Sequence, residues 1–302
     1  MPMSKNPRWK CLKDLGIYLA VYLVMTSVGE ILIGTHVMSL FGVNNMRAST
    51  YDHAMNQLSD TAANLLTGLA LVYAYRRRNP PEKRGPGLPG VLHRLQHMAV
   101  GLVLGAGAMS LLVGILVVLG VAKVTTVAPQ ITTLTLIPYF ISVGYEEEVW
   151  VRGTVQHTLA KVMPLALVIT LSSLLFGAIH LTNDNISLLG ITNVVLAGVL
   201  FSVFTWTTKN LYMAIGFHIT WNWFQGGFFG MTVSGHDFIG KAPFKVSMES
   251  GHDLLTGGAF GPEASLLTTV LFIGLSVAVW LFYRGRQTGT EQQLPTAPTA
   301  AE

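Results

Sequence analysis

Residues 134–153 read LTLIPYFISVGYEEEVWVRG, an uncharged apolar run that passes directly into Glu146, Glu147, Glu148 and Arg152. On insertion scales a charged side chain near the centre of a bilayer costs about 2.5–3.5 kcal/mol. Four such groups outweigh most of the insertion energy of this helix unless they face a polar interior. The surrounding chain is that of a membrane protein. Of its 302 residues 51% are hydrophobic and 11% charged, and the mean hydropathy is +0.50. A hydrocarbon core about 30 Å thick takes about 20 apolar residues of helix. Eight stretches qualify: 15–35, 55–75, 98–122, 132–151, 162–181, 186–206, 211–230 and 264–283. The second is the weakest, because its clean apolar part covers only 61–75 and Asp60 precedes it. The fold class that follows is all-α, a polytopic transmembrane helical bundle of about eight spans with the active site inside the bundle.

The placement of positive charge supports that count. Lys5, Arg8, Lys10 and Lys13 precede the first stretch, and Arg76, Arg77, Arg78, Lys83, Arg84 and Arg94 separate the second from the third. Lys161, Lys209, Arg284 and Arg286 fall on the same side of an eight-span chain, which leaves Arg47, Lys123, Lys241 and Lys245 opposite. Cytoplasmic loops carry the excess of Lys and Arg, so both termini are expected in the cytoplasm of a multi-pass protein, in a prokaryotic cell membrane. The first apolar run is too long for the core of a signal peptide and has no small-residue cleavage site after it, so it reads as a retained anchor. The single cysteine, Cys11, excludes intramolecular disulfides and a cysteine-based metal site.

Residues 1–286 form a single domain in this reading, and the polar segment 287–302 is expected to be disordered. The basic Pro/Gly-rich segment RRRNPPEKRGPGLPG (76–90) reads as a solvated loop that touches anionic lipid. The VLHRLQH that follows reads as a short interfacial helix. The loop 231–263 contains SGHD twice, at 234–237 and 250–253. Chance repetition in a Gly-rich loop is favoured there over a metal-binding or lid role. Glu30 and Asn64 read as interhelical hydrogen-bonding groups, and Trp150, Trp206, Trp221 and Trp223 as core or interfacial aromatics.

Three intramembrane stretches hold groups that are costly in lipid: EEVWVR (147–152), FGAIHLTN (176–183) and GFHITWNW (216–223). Glu148 and Arg152 are spaced i,i+4 with the acid N-terminal, the favoured order for an ion pair on one helix. Glu147 is rotated about 100° from Glu148 and can face elsewhere. Phe176 and His180 share a helix face by the same spacing, as do His218 and Asn222. Three helices can therefore turn a carboxylate, two imidazoles and a carboxamide toward one cavity. That set suits hydrolysis: a carboxylate and an imidazole to activate water, and N–H donors for the oxyanion of the tetrahedral intermediate. No serine elbow, HExxH or GxGD pattern is present.

EExxxR, FxxxH and HxxxN in this order on separate membrane helices resemble the CAAX-protease and bacteriocin-processing (CPBP, or Abi) family of intramembrane endopeptidases, similar to CAAX prenyl endopeptidases. The arginine fixes the register, so Glu147 and Glu148 are the matched pair and Glu146 is an extra acid. The likeness covers about 137–224. It implies that Glu147 and His180 activate water, that His218 and Asn222 form the oxyanion hole, and that Glu148 and Arg152 hold the site's geometry. It also implies a membrane-associated protein or peptide substrate, CAAX-type and prenylated or not. Membrane lipid is the other expected partner, with no nucleic acid. No cofactor is expected. The alternative is zinc held by His180, His218 and Glu147. Two other functions compete: a non-catalytic CPBP-like immunity or scaffold protein, and a proton-coupled transporter with Glu147 and His180 as its relay. The chain shows no internal repeat of the transporter kind.

Overall fold

The computed structural model describes residues 6–29, 50–79, 92–127, 132–237 and 242–291. These residues are predominantly helical. The long helices are α1 (Pro7–Val28), α2 (Thr50–Arg78), α3 (Leu92–Val118), α4 (Thr132–Glu148), α5 (Leu165–Ala178), α6 (Leu188–Thr208), α7 (Tyr212–Asn222) and α8 (Leu266–Glu291). Each of the apolar stretches named above carries one of them. By length and composition four are able to cross a membrane: Pro7–Val28, Arg94–Val118, Leu188–Thr208 and Leu266–Arg284. The others are shorter or carry polar groups, and of the four candidates α6 is the one most buried inside the bundle. Asp60, which bounded the second stretch on paper, lies inside α2.

α1 opens on an N-cap: the Asn6 side chain accepts from the Arg8 backbone N–H at 2.9 Å, and Pro7 takes the first helical position. The buried Asp14 of α1 accepts from Lys10 at 3.1 Å and from Arg78, which ties α1 to the end of α2. α2 is pinned to α4 by Asn64, whose Nδ2 donates to Ser142 Oγ at 3.3 Å. Asn64 is thus an interhelical hydrogen-bonding group; Glu30 lies outside the described residues. α3 and α7 approach closely. A Cβ on Gly101 would collide with the Met213 carbonyl, one on Gly105 with the Phe217 carbonyl, and one on Gly216 with the Met98 carbonyl. Small residues let helix backbones approach in a membrane, and Thr220 Oγ1 donates across the same seam to the Leu102 carbonyl at 2.8 Å. This seam sets the depth and rotation of the helix that carries His218 and Asn222.

The structure differs from the sequence reading in four places. VLHRLQH is no separate interfacial helix, since α3 begins at Leu92 and runs unbroken to Val118. α8 continues to Glu291, into the segment expected to be disordered, and 292–302 lie outside the described residues. A two-stranded antiparallel ribbon is present, β1 (Ala122–Thr126) on β2 (Phe244–Met248), in register from Ala122 opposite Met248 to Thr126 opposite Phe244. Finally, α4 does not end where apolarity ends. It passes into a π-helical stretch, Val149–Gln156, and on through His157–Leu159, while α7 passes into a second π-helical stretch, Trp223–Phe228. π-Helix is rare and recurs at functional sites; here the first stretch starts within the EExxxR motif, directly after Glu148, and the second directly after Asn222.

Candidate functional site

The site begins with Arg152, a fully buried guanidinium on the first π-helical stretch. Its Nη1 donates to Glu148 Oε1 at 2.9 Å and its Nη2 to the Gly198 carbonyl of α6 at 3.2 Å. Its Cζ lies 4.2 Å from the Phe176 ring centroid and 5.1 Å from that of Phe201. Ion pair, carbonyl and two aromatic faces together offset the burial of one charge. Phe176 of the FxxxH stretch is therefore a wall of the arginine site.

Glu148 also accepts from His218: Nδ1 of His218 lies 3.2 Å from Glu148 Oε1. A carboxylate can only accept, so Nδ1 carries a proton and Nε2 is the ring's open atom. That Nε2 lies 3.9 Å from Glu147 Oε2, too far for a direct hydrogen bond but near enough for both atoms to contact one water. The ring stacks on Phe201 at 5.0 Å between centroids. His180 sits in the turn after α5, where its Nδ1 lies 2.8 Å from the Phe176 carbonyl. The carbonyl fixes the proton on Nδ1 and leaves Nε2 as the acceptor of the neutral ring.

Glu147, His180, His218 and Asn222 all line one cavity of about 280 Å³ between α4, α5, α6 and α7. The pair in closest approach is Glu147 with His218. Among the described residues no group of three His, Cys, Asp or Glu side chains is arranged to hold a metal ion. Glu148 and Arg152 lie behind the cavity wall.

The sequence reading passed over several residues that the fold brings to the same cavity. Glu146 lines it, is 5% exposed, and its Oε1 has no hydrogen-bond partner among the described residues. Tyr22, Asn64 and Tyr139 line it from α1, α2 and α4. The first SGHD copy closes its far side. Val233 and His236 exchange backbone hydrogen bonds at 2.9 and 2.8 Å around Ser234 and Gly235, whose φ angles are +47° and +89°. Two central residues with positive φ make the primed hairpin turn that favours glycine, and a Cβ on Gly235 would collide with the backbone of Asp184. The turn is tethered at both ends. Asn183 Nδ2 donates to the Ser234 carbonyl at 2.8 Å, and Ser234 Oγ donates to Glu263 at 3.0 Å. Glu263 lies in the short helical turn before α8, outside the apolar spans; burial pushes its carboxyl above the ordinary glutamate range, against the opposing hydrogen bonds from Ser234. The second SGHD copy, 250–253, is exposed. For Ser234, Gly235 and His236 the only early sign was the repeat itself.

Residues 129–224 match the family model described as type II CAAX prenyl endopeptidase, Rce1-like. The match takes in all three motif stretches, and that family is one of proteases. No curated protein and no solved structure matches the chain.

Proposed function

We propose, for a chain whose residues 129–224 match a CAAX prenyl endopeptidase family model, that it is an intramembrane endopeptidase cutting a peptide bond of a membrane-associated protein or peptide. The observation that carries this reading is the meeting of Glu147, His180, His218 and Asn222, from three separate segments of the chain, on one cavity. In this reading eight helices span the membrane, both termini are cytoplasmic, and the 231–263 loop covers the cavity from the opposite side.

The chemistry then follows from the open atoms. Glu147 takes a proton from water, which the acceptor nitrogen of His180 helps to orient, and the hydroxide adds to the scissile carbonyl carbon. Asn222 Nδ2 and His218 Nε2 donate to the resulting oxyanion. To donate there, His218 carries protons on both nitrogens. Glu148 accepts from both His218 Nδ1 and Arg152, and the two carboxylates of Glu147 and Glu148 together match the two positive charges of His218 and Arg152. Collapse of the intermediate breaks the C–N bond, and the proton held by Glu147 passes to the leaving amine. Metal-free catalysis follows from a site in which asparagine, an uncommon metal ligand, stands beside histidine as a donor.

The test is a comparison of new protein termini in membranes of cells carrying the wild-type chain or Glu147→Gln at equal levels. Termini that depend on Glu147 are expected; identical sets in the two membranes would refute proteolysis.

A further inference from the structure

The motif requires two glutamates and this chain has three. Glu146 and Glu147 are adjacent, line the same cavity, and each presents a buried carboxylate oxygen with no hydrogen-bond partner among the described residues: Oε1 of Glu146 and Oε2 of Glu147. Glu263 adds a third carboxylate to the lining, which includes no lysine or arginine, and the cation of the proposed mechanism, His218, faces Glu147 and Glu148 rather than Glu146. Arg152 is engaged by Glu148 behind the wall. A buried carboxylate without a partner is costly, and two adjacent ones repel each other. A proton relieves the cost, and so does a cation brought in by a ligand.

The walls favour an organic cation. Tyr139, Val143 and Glu146 fall on one face of α4 by their spacing, and the cavity beside them is bounded by Tyr22 of α1 and Asn64 of α2. Aromatic faces next to a carboxylate suit a lysine ammonium or an arginine guanidinium. A metal ion would find no group of three ligands among the described residues.

We infer that Glu146 forms a subsite for a basic side chain of the substrate, so that this chain prefers peptides with lysine or arginine close to the bond it cuts. The inference rests on the endopeptidase reading only for the position of that bond. A carboxylate or an apolar side chain placed in the same subsite leaves Glu146 unpaired and is disfavoured.

The experiment uses the purified full chain in proteoliposomes and a set of N-acetylated, C-amidated peptides with one apolar membrane-anchoring segment. Lysine, norleucine or glutamate is placed in turn at each position. Lysine at one position is expected to raise kcat/KM over norleucine on the order of tenfold, and glutamate there to lower it. In Glu146→Gln the ratio of lysine to norleucine cleavage falls to about one, whatever the absolute rate. Equal cleavage of lysine and norleucine peptides by the wild type overturns the inference, and so does a lysine preference that survives in Glu146→Gln. Binding of the same peptides, read by fluorescence anisotropy, separates the subsite from the chemistry. If no peptide is cut, a lysine preference in binding that Glu146→Gln removes supports the subsite while counting against the hydrolytic reading. Binding without preference, or no binding at all, overturns the subsite.

Discussion

Glu148→Gln isolates one charge in the structure. The substitution keeps the volume and an acceptor oxygen for His218 Nδ1, and removes the one negative charge that faces both Arg152 and His218. Both members of the pair are fully buried at 2.9 Å, so solvent screens neither. At an effective dielectric of about 20 and a charge separation of about 4 Å, the lost attraction is about 4 kcal/mol. Removing one partner of a buried pair costs about 3–5 kcal/mol in practice, and the two figures agree. The Gly198 carbonyl and the rings of Phe176 and Phe201 remain to the guanidinium, which places the expected loss toward the lower end. Cys11 provides the assay. It is the single cysteine, 5% exposed, with Sγ 3.6 Å from the Thr158 carbonyl. A denaturant titration in detergent, scored by pulsed maleimide labelling of Cys11, therefore reports loss of the packed bundle. Glu148→Gln is expected to lower the unfolding free energy by about 3 kcal/mol or more. The double variant Glu148→Gln/Arg152→Met, which removes both charges, should regain most of it. A single-variant loss below about 0.5 kcal/mol, the size of an ordinary surface substitution, would refute the reasoning.

Three further outcomes are expected. Asn222→Ala should lower kcat by about 10²–10³-fold with little change in KM, the usual cost of one lost oxyanion donor; a near-normal kcat would remove Asn222 from the oxyanion hole. Exhaustive chelation should leave cleavage intact, whereas inactivation reversed specifically by zinc would favour the metal alternative with His180, His218 and Glu147 as ligands. Glu263 carries a pH signature: its folded-state carboxyl titrates above the ordinary value of 4.5. Its stabilising contribution is thus complete below that value and is lost as the pH rises through the raised one. Glu263→Gln should flatten that part of the stability–pH profile, and an unchanged profile would contradict the assignment.

The fold was legible where one physical cause dominated. Apolar length alone located α1, α3, α6 and α8. The cost of charge in lipid pointed to 146–152 as an interior feature, and the i,i+4 spacing placed Arg152 on Glu148. Long-range contacts were not legible. Ser234 and Glu263 meet across a loop, and nothing local marks either as part of the cavity wall. The π-helical stretches were missed because hydropathy carries no information on whether a helix closes its hydrogen bonds at i+4 or i+5. The β1–β2 ribbon joins two segments far apart in sequence, each too short to show a strand pattern. Glu146 was set aside because the motif had no place for it; its burial and lack of a partner become visible only with α2 packed against α4 and α1 against the π-helical stretch that follows. His218 was assigned from its spacing to Asn222. Its bond to Glu148 and its approach to Glu147 depend on how the α3–α7 glycine seam turns α7.

The most direct test of the central claim is turnover by purified protein in proteoliposomes, wild type against Glu147→Gln, on a membrane peptide identified from the termini that disappear in cells. Glu147 lines the cavity with its Oε2 3.9 Å from His218 Nε2 and without a hydrogen bond, so unfolding of the amide is measured beside its activity, and preparations that unfold with the wild type are the ones compared. The account predicts that such an equally stable Glu147→Gln protein cuts no detectable peptide while the wild type turns over repeatedly. Cleavage by Glu147→Gln at the wild-type rate would contradict it.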